Sequence, residues 1–168
     1  KRGIPYLVRG GLRFFEQAHI KDVLAYLQVL HNPLNEIAWR RIFSSYEGVG
    51  QVTASKVWNK MKDKGTLTEM LSVLGDVPGR GKAKASFGRL QRLFFKLLEV
   101  EKKSIGQIIT AILEQGYQLH LEATYDDARD RLEDLNQLAI FSSNYEQLDE
   151  FLAEASLSEG FKGEKAGK

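Results

Sequence analysis

The residues able to do chemistry in this sequence are glycines and cations. The run Tyr46-Glu47-Gly48-Val49-Gly50-Gln51-Val52-Thr53-Ala54 sets two glycines around one apolar residue, just ahead of an amphipathic stretch. Glycines let a backbone turn tightly and come close to a ligand. The helix that follows opens with unpaired N–H groups and the positive end of its dipole, which suits a phosphate oxygen. This is the helix-hairpin-helix pattern. Gly48, Val49, Gly50 and Thr53 would form its contact, and Ala54 is small enough for close helix packing. Lys56 and Lys60 stand further along, where they could reach neighbouring phosphates. Such binding reads a backbone and not bases, so it is independent of sequence and sensitive to salt. The same residues also suit a plain helix–turn–helix connection in which the glycines serve geometry alone.

A second run, Pro78-Gly79-Arg80-Gly81-Lys82-Ala83-Lys84-Ala85, matches the turn with Arg80 in the apolar position. Gly79, Arg80, Gly81, Lys82 and Lys84 are therefore candidate phosphate contacts, and Arg89 and Arg92 follow on the next helix. The alternative is a loop and an ordinary helix start. Residues 40–96 hold 12 basic and 4 acidic side chains. A basic stretch with two Gly-x-Gly turns says more than either turn alone.

Other chemistries lack their residues. The chain has no cysteine, which removes disulfides, thiolate metal sites and a thiol nucleophile. His19, His31 and His120 fall in no metal-ligand spacing. There is no phosphate loop ending in Gly-Lys-Ser/Thr, no Gly-x-Ser-x-Gly elbow and no His-Glu-x-x-His pair. Lys62, Asp63 and Lys64 read as a solvated helix end. Asp126, Asp127, Asp130, Glu133 and Asp134 read as a solvated acidic face with Arg129 and Arg131 as local partners. His19 is expected to be a partly exposed helix residue. A net charge of +2 conceals a polarity: residues 1–103 carry 19 Lys and Arg against 9 Asp and Glu, and residues 104–168 carry 5 against 13. A basic face for an anionic partner would produce this, as would two unequally charged solvated faces.

The elements that must position these residues are helical, giving an all-α fold of about seven helices. Ile20, Val23, Leu24, Leu27 and Leu30 form a helical stripe that Asn32-Pro33 ends. Further helices are expected over 34–43, 51–62, 67–74 and from the loop at 75–81 to about 101. Thr66 with Glu69 is a capping box, and Ser143 with Glu146 a second. Ser104 caps a helix that Gly116 stops. Two more are expected over 125–141 and 145–157. Ile4 to Arg9 reads as a short extended stub without a partner strand. The Gly/Lys/Glu-rich residues 160–168 are expected to be a disordered tail. No apolar run reaches the ~20 residues that span a bilayer, so no membrane partner is expected. The absence of cysteine fits a reducing compartment, the cytoplasm. The chain begins at Lys1, as a fragment would.

Gly10-Gly11-Leu12-Arg13-Phe14-Phe15-Glu16, followed by Ile20-Lys21-Asp22-Val23-Leu24-Ala25-Tyr26-Leu27, resembles the superfamily 1 DNA helicases of the UvrD/Rep/PcrA type. The resemblance continues through Asn32-Pro33, Ala38, Arg41-Ile42 and Gly48-Val49-Gly50. It returns at residues 129–135 and 151–155. It implies that residues 1–30 end motor subdomain 2A and residues 31–159 form the accessory helical subdomain 2B. It also implies a parent that unwinds DNA 3′ to 5′ with ATP and Mg²⁺, whose motor motifs lie outside this chain. This chain would then hold no cofactor and catalyse nothing. Its partners would be double-stranded DNA, bound through the Gly-x-Gly hairpins, and the parent's own motor subdomains. Arg13 would lie near the single-strand path. The family usually places a basic residue where Glu47 stands, and a carboxylate there repels phosphate. Two other readings stay open: a stand-alone helix-hairpin-helix DNA-binding protein, and a protein–protein module working through the acidic half.

Overall fold

Local capping signals set most helix boundaries. The computed structural model describes residues 11–99 and 103–166, and side chains from Arg13 to Ser158 within them. The extended stub expected at Ile4 to Arg9 lies outside the described residues. A 3-10 turn at Gly11–Glu16 leads into α1 (Ala18–His31). Then come α2 (Glu36–Ser44), α3 (Gln51–Met61), α4 (Leu67–Gly75) and α5 (Lys82–Glu99). Asn35 caps α2 by accepting the Ala38 N–H at 3.0 Å. Thr66 and Glu69 close the expected capping box on α4, with reciprocal bonds of 3.1 and 3.2 Å. Ser104 caps α6 (Ile105–Ile112), and Gln107 returns the bond, a second complete box.

The fold is all-α, and the described residues contain no strand. One helix goes beyond the expectation. At Gly116 the backbone leaves the helical region, with φ +148°, inside a π-type segment at Leu113–Tyr117. Only glycine takes that conformation cheaply. The chain does not stop there but resumes as α7 (Gln118–Thr124). The expected capping box of Ser143 with Glu146 does not form. Ser143 ends α8 (Ala128–Ser142), its hydroxyl bonding Ile140 O at 2.7 Å, and α9 (Leu148–Ala166) starts later. The tail expected at 160–168 falls on residues whose side chains are outside the description; the backbone is helical to Ala166.

The chain divides into two compact units, residues 28–101 and residues 1–27 with 102–168. These packing boundaries differ from the divisions at 30/31 and 159/160 read from the sequence. In the unit of residues 28–101, α3 packs on both α2 and α4, and α4 on α5. Its core is aromatic: Trp39 lies 5.7 Å from Phe43 and 5.2 Å from Phe94, and Phe43 meets Phe87 edge-on at 5.4 Å. All four are buried, each contributing roughly 1.5–3 kcal/mol by leaving water. This cluster fixes α2 and α5 and so the turn between α2 and α3.

In the other unit, Phe15 packs against Phe141 and Phe141 against Phe151, so the 3-10 turn, α8 and α9 share a core. Two expectations are corrected here. His19 is fully buried, not partly exposed, and Asp134 is buried with it, not part of a solvated face. His19 Nε2 lies 2.9 Å from Asp134 Oδ2, and Arg131 Nη1 lies 3.0 Å from His19 Nδ1. Burial of both groups against facing helices is what creates this pair. Arg131 also binds Asp127 at 2.7 Å, the local pairing expected for it, and covers the Tyr125 ring at 3.7 Å.

Candidate nucleic-acid interface

The two Gly-x-Gly runs are 31 residues apart in sequence, and the fold brings the first turn against the helix that the second one opens. Gly48 has φ +83°, and a Cβ built on it would lie 2.7 Å from Lys82 Cβ and 2.9 Å from Ala83 N. Both conformation and space therefore require glycine at position 48. Ser86, buried on α5, donates its hydroxyl to Glu47 O at 2.6 Å. Lys82 Nζ lies 3.1 Å from Glu47 Oε2. The first turn of α5 thus holds the α2–α3 turn from behind.

Gly50 plays a different part. It is the N-cap of α3 with ordinary extended backbone, φ −89° and ψ −176°, and nothing lies within 4 Å of where its Cβ would be. No side chain caps the helix, and the first bond to its cap runs from Ala54 N to Gly50 O at 2.9 Å. The N–H groups of the first turn thus have no side-chain cap. Their partial positive charge, with the helix dipole behind it, favours an anion. Val49 and Thr53 are half-buried beside this opening, and Lys56 and Lys60 stand exposed down α3. On the far side of α3, Arg40 Nη1 bonds Ser55 Oγ at 3.0 Å and Glu36 at 2.7 Å through Nε, tying α2 to α3.

The second run is placed less favourably. Gly79 and Gly81 have φ of +97° and +101°, and Arg80 between them is exposed. Lys84 Nζ donates to Val77 O at 2.6 Å, so it braces the loop after α4. Lys82 is engaged by Glu47. Two of the five cations and glycines expected there are thus internally occupied. Arg13 is exposed on the 3-10 turn and belongs to the other compact unit. Sequence reasoning missed Ser86 and the neutralisation of Glu47 by Lys82. Nothing in the local pattern of either residue signals a contact across 35–39 positions. Among the described residues no three His, Asp or Glu side chains gather as a metal-ligand set, and no helix is long and apolar enough to cross a membrane.

Residues 1–74 match the UvrD-like helicase C-terminal domain. Over 145 residues the chain is 32% identical to the ATP-dependent DNA helicase UvrD1 of Mycobacterium tuberculosis, covering 82% of this chain and 19% of that protein. These matches support a fragment of a UvrD-like helicase. The chain is 30% identical to DNA helicase II of Haemophilus influenzae over an alignment of 172 positions, covering 94% of this chain and 24% of that one. To the ATP-dependent DNA helicase PcrA of Staphylococcus aureus it is 29% identical over 156, covering 88% and 21%. The chain spans about a fifth of the length of these UvrD-like relatives. The UvrD-like domain match takes in Arg13, α1 and the whole α2–α3 hairpin and ends within α4, before the second Gly-x-Gly run.

Proposed function

We propose that this chain is the duplex-binding accessory region of an ATP-dependent 3′–5′ DNA helicase, holding the end of motor subdomain 2A and the helical subdomain 2B. The observation that carries this reading is the uncapped N-terminus of α3, framed by Gly48 and Gly50 and continued by Lys56 and Lys60. A duplex phosphate would accept from the N–H groups of the first turn of α3, with Thr53 beside it. The lysines would neutralise the next phosphates along the strand. No base edge is needed, so every duplex binds alike. Arg13 would serve the single strand only when the motor is present.

Catalysis belongs to the rest of the parent. Residues of this chain do not fit an ATP-phosphate cradle. The Gly81-Lys82 pair comes nearest, but Ala83 stands where the Mg²⁺-binding Ser or Thr is needed, and Lys82 is already paired with Glu47. The ATP and Mg²⁺ of the parent would bind elsewhere in it.

Titration of a labelled duplex with the 168-residue chain at two salt concentrations tests the reading. The expected affinity is in the non-specific range of roughly 10⁻⁴–10⁻⁶ M, falling with a log–log salt slope of about −0.9 for each phosphate engaged. Absence of binding at low salt, or binding that ignores salt, would overturn it.

A further inference from the structure

A groove of about 750 Å³ runs between α3 and the loop that follows α4. Lys56 and Lys60 on α3, with Lys64 just past its end, form one side. None of these three lysines makes an ion pair among the described residues. The lining between the charged residues includes an aliphatic floor contributed by Val57, Val73 and Val77, with Pro78 at its exposed edge. Lys84 Nζ binds Val77 O at 2.6 Å, which braces the loop that lines the groove.

The aliphatic floor is of no use to a phosphodiester backbone, which gains nothing by desolvating against valine. Asp63 and Asp76 also line the groove, so it is not a uniformly positive track. A ligand that matches both features has carboxylates for the lysines, apolar side chains for the floor, and N–H donors for the two aspartates. We propose that this groove docks an acidic peptide segment of a partner protein, one with aliphatic side chains spaced between its carboxylates. Charge complementarity to the unpaired lysines selects it and speeds its approach. The aliphatic anchors seated among the valines hold it, as in other helix-in-groove contacts. Lys56 and Lys60 also belong to the duplex interface proposed above. Peptide and duplex would then exclude one another, a consequence that, unlike the docking itself, rests on the duplex reading.

The test uses the 168-residue chain and a fluorescein-labelled synthetic peptide of Glu, Ala and Leu, with Leu at helical spacing. A sister peptide has every Leu replaced by Ser. The Leu peptide should bind, and the Ser peptide should bind about tenfold more weakly, the scale of one buried aliphatic side chain. Lys64→Glu, at an exposed position where the fold survives, should weaken the Leu peptide several-fold. Val77→Asp should weaken it further, with a thermal melt of each variant confirming the fold. Equal binding of the two peptides would overturn the proposal, because the floor would be unused. So would failure of both peptides while a duplex binds and is weakened by Lys64→Glu, which would make the groove part of a DNA track. Binding of the Leu peptide without displacement of duplex would support the docking and count against Lys56 and Lys60 as duplex contacts.

Discussion

Lys82 Nζ lies 3.1 Å from Glu47 Oε2, joining the first residue of α5 to the residue before the Gly48-Val49-Gly50 turn. The sequence alone made Glu47 an obstacle, a carboxylate beside a phosphate site. In the fold it is neutralised by a cation that was expected to face the phosphate itself. The two charges cancel locally. Glu47→Gln would free Lys82 for an incoming phosphate. Both side chains are mostly exposed, at 72% and 66%, so the pair is weak and its loss leaves the fold intact. Duplex affinity should rise about threefold and the salt slope should steepen by about one phosphate's share. An anisotropy titration of the variant checks this; unchanged affinity and slope would mean Lys82 stays out of reach of the duplex.

The two glycines of the first turn should behave oppositely. Gly48→Ala forces an L-residue to φ +83° and drives its Cβ into Lys82 and Ala83. A cost of about 1–3 kcal/mol follows, visible as a lower melting temperature. Gly50→Val meets neither obstacle, since its backbone is extended and nothing lies within 4 Å. Its stability should change by less than about 1 kcal/mol. Yet a branched side chain in front of α3 blocks a phosphate from the first-turn N–H groups. Duplex binding should fall while the melting temperature barely moves. A variant at Gly50 that melts early but binds normally would contradict the assignment of that opening.

Among the cations, Lys60 should matter more than Lys84. Lys84 already donates to Val77 O at 2.6 Å, whereas Lys60 is exposed without an ion partner among the described residues. Lys60→Ala should weaken every duplex several-fold and flatten the salt slope by about 0.9. Lys84→Ala should leave the slope alone and lower stability by roughly 0.5–1.5 kcal/mol through the lost bond. Paired salt titrations and thermal melts of the two variants separate these effects. The reverse ranking would put the duplex at the second Gly-x-Gly run.

What was legible in the sequence was local. Thr66 with Glu69, Ser104 at the head of α6 and Pro33 after α1 act within one turn of chain, and each sets a boundary where expected. The Gly48 turn was legible for the same reason. Ser143 with Glu146 carries the same pattern and fails. The preceding turn claims it: Ser143 N and Asn144 N bond Ile140 O and Phe141 O, which closes α8 before α9 can start. Contacts between distant elements left no mark. Nothing near Ser86 shows that its hydroxyl reaches Glu47 O across 39 positions. Likewise nothing in the sequence near His19 shows that its imidazole is buried with partners 112 and 115 residues away.

That imidazole makes stability depend on pH. Arg131 can only donate, so His19 Nδ1 must accept from it, and the proton sits on Nε2, pointing at Asp134. Protonating Nδ1 would set two donors against each other. Burial, with Arg131 adding to it, holds His19 below its ordinary value of 6.5, although Asp134 and Asp127 pull the other way. Burial also lowers His120, against the pull of Asp22. In the unfolded chain both histidines take up a proton near pH 6.5; in the folded chain they resist. The stabilisation is therefore complete above that pH and is lost as the pH falls below it. Asp127, held low by Arg131, acts only below its ordinary 3.8 and does not enter this window. The melting temperature should drop between neutral pH and about pH 5. His19→Gln can still donate to Asp134 and accept from Arg131 but cannot titrate. It should flatten most of that drop and leave the part owed to His120. An unaltered pH profile in His19→Gln would show that the buried pair does not govern the acid side of stability.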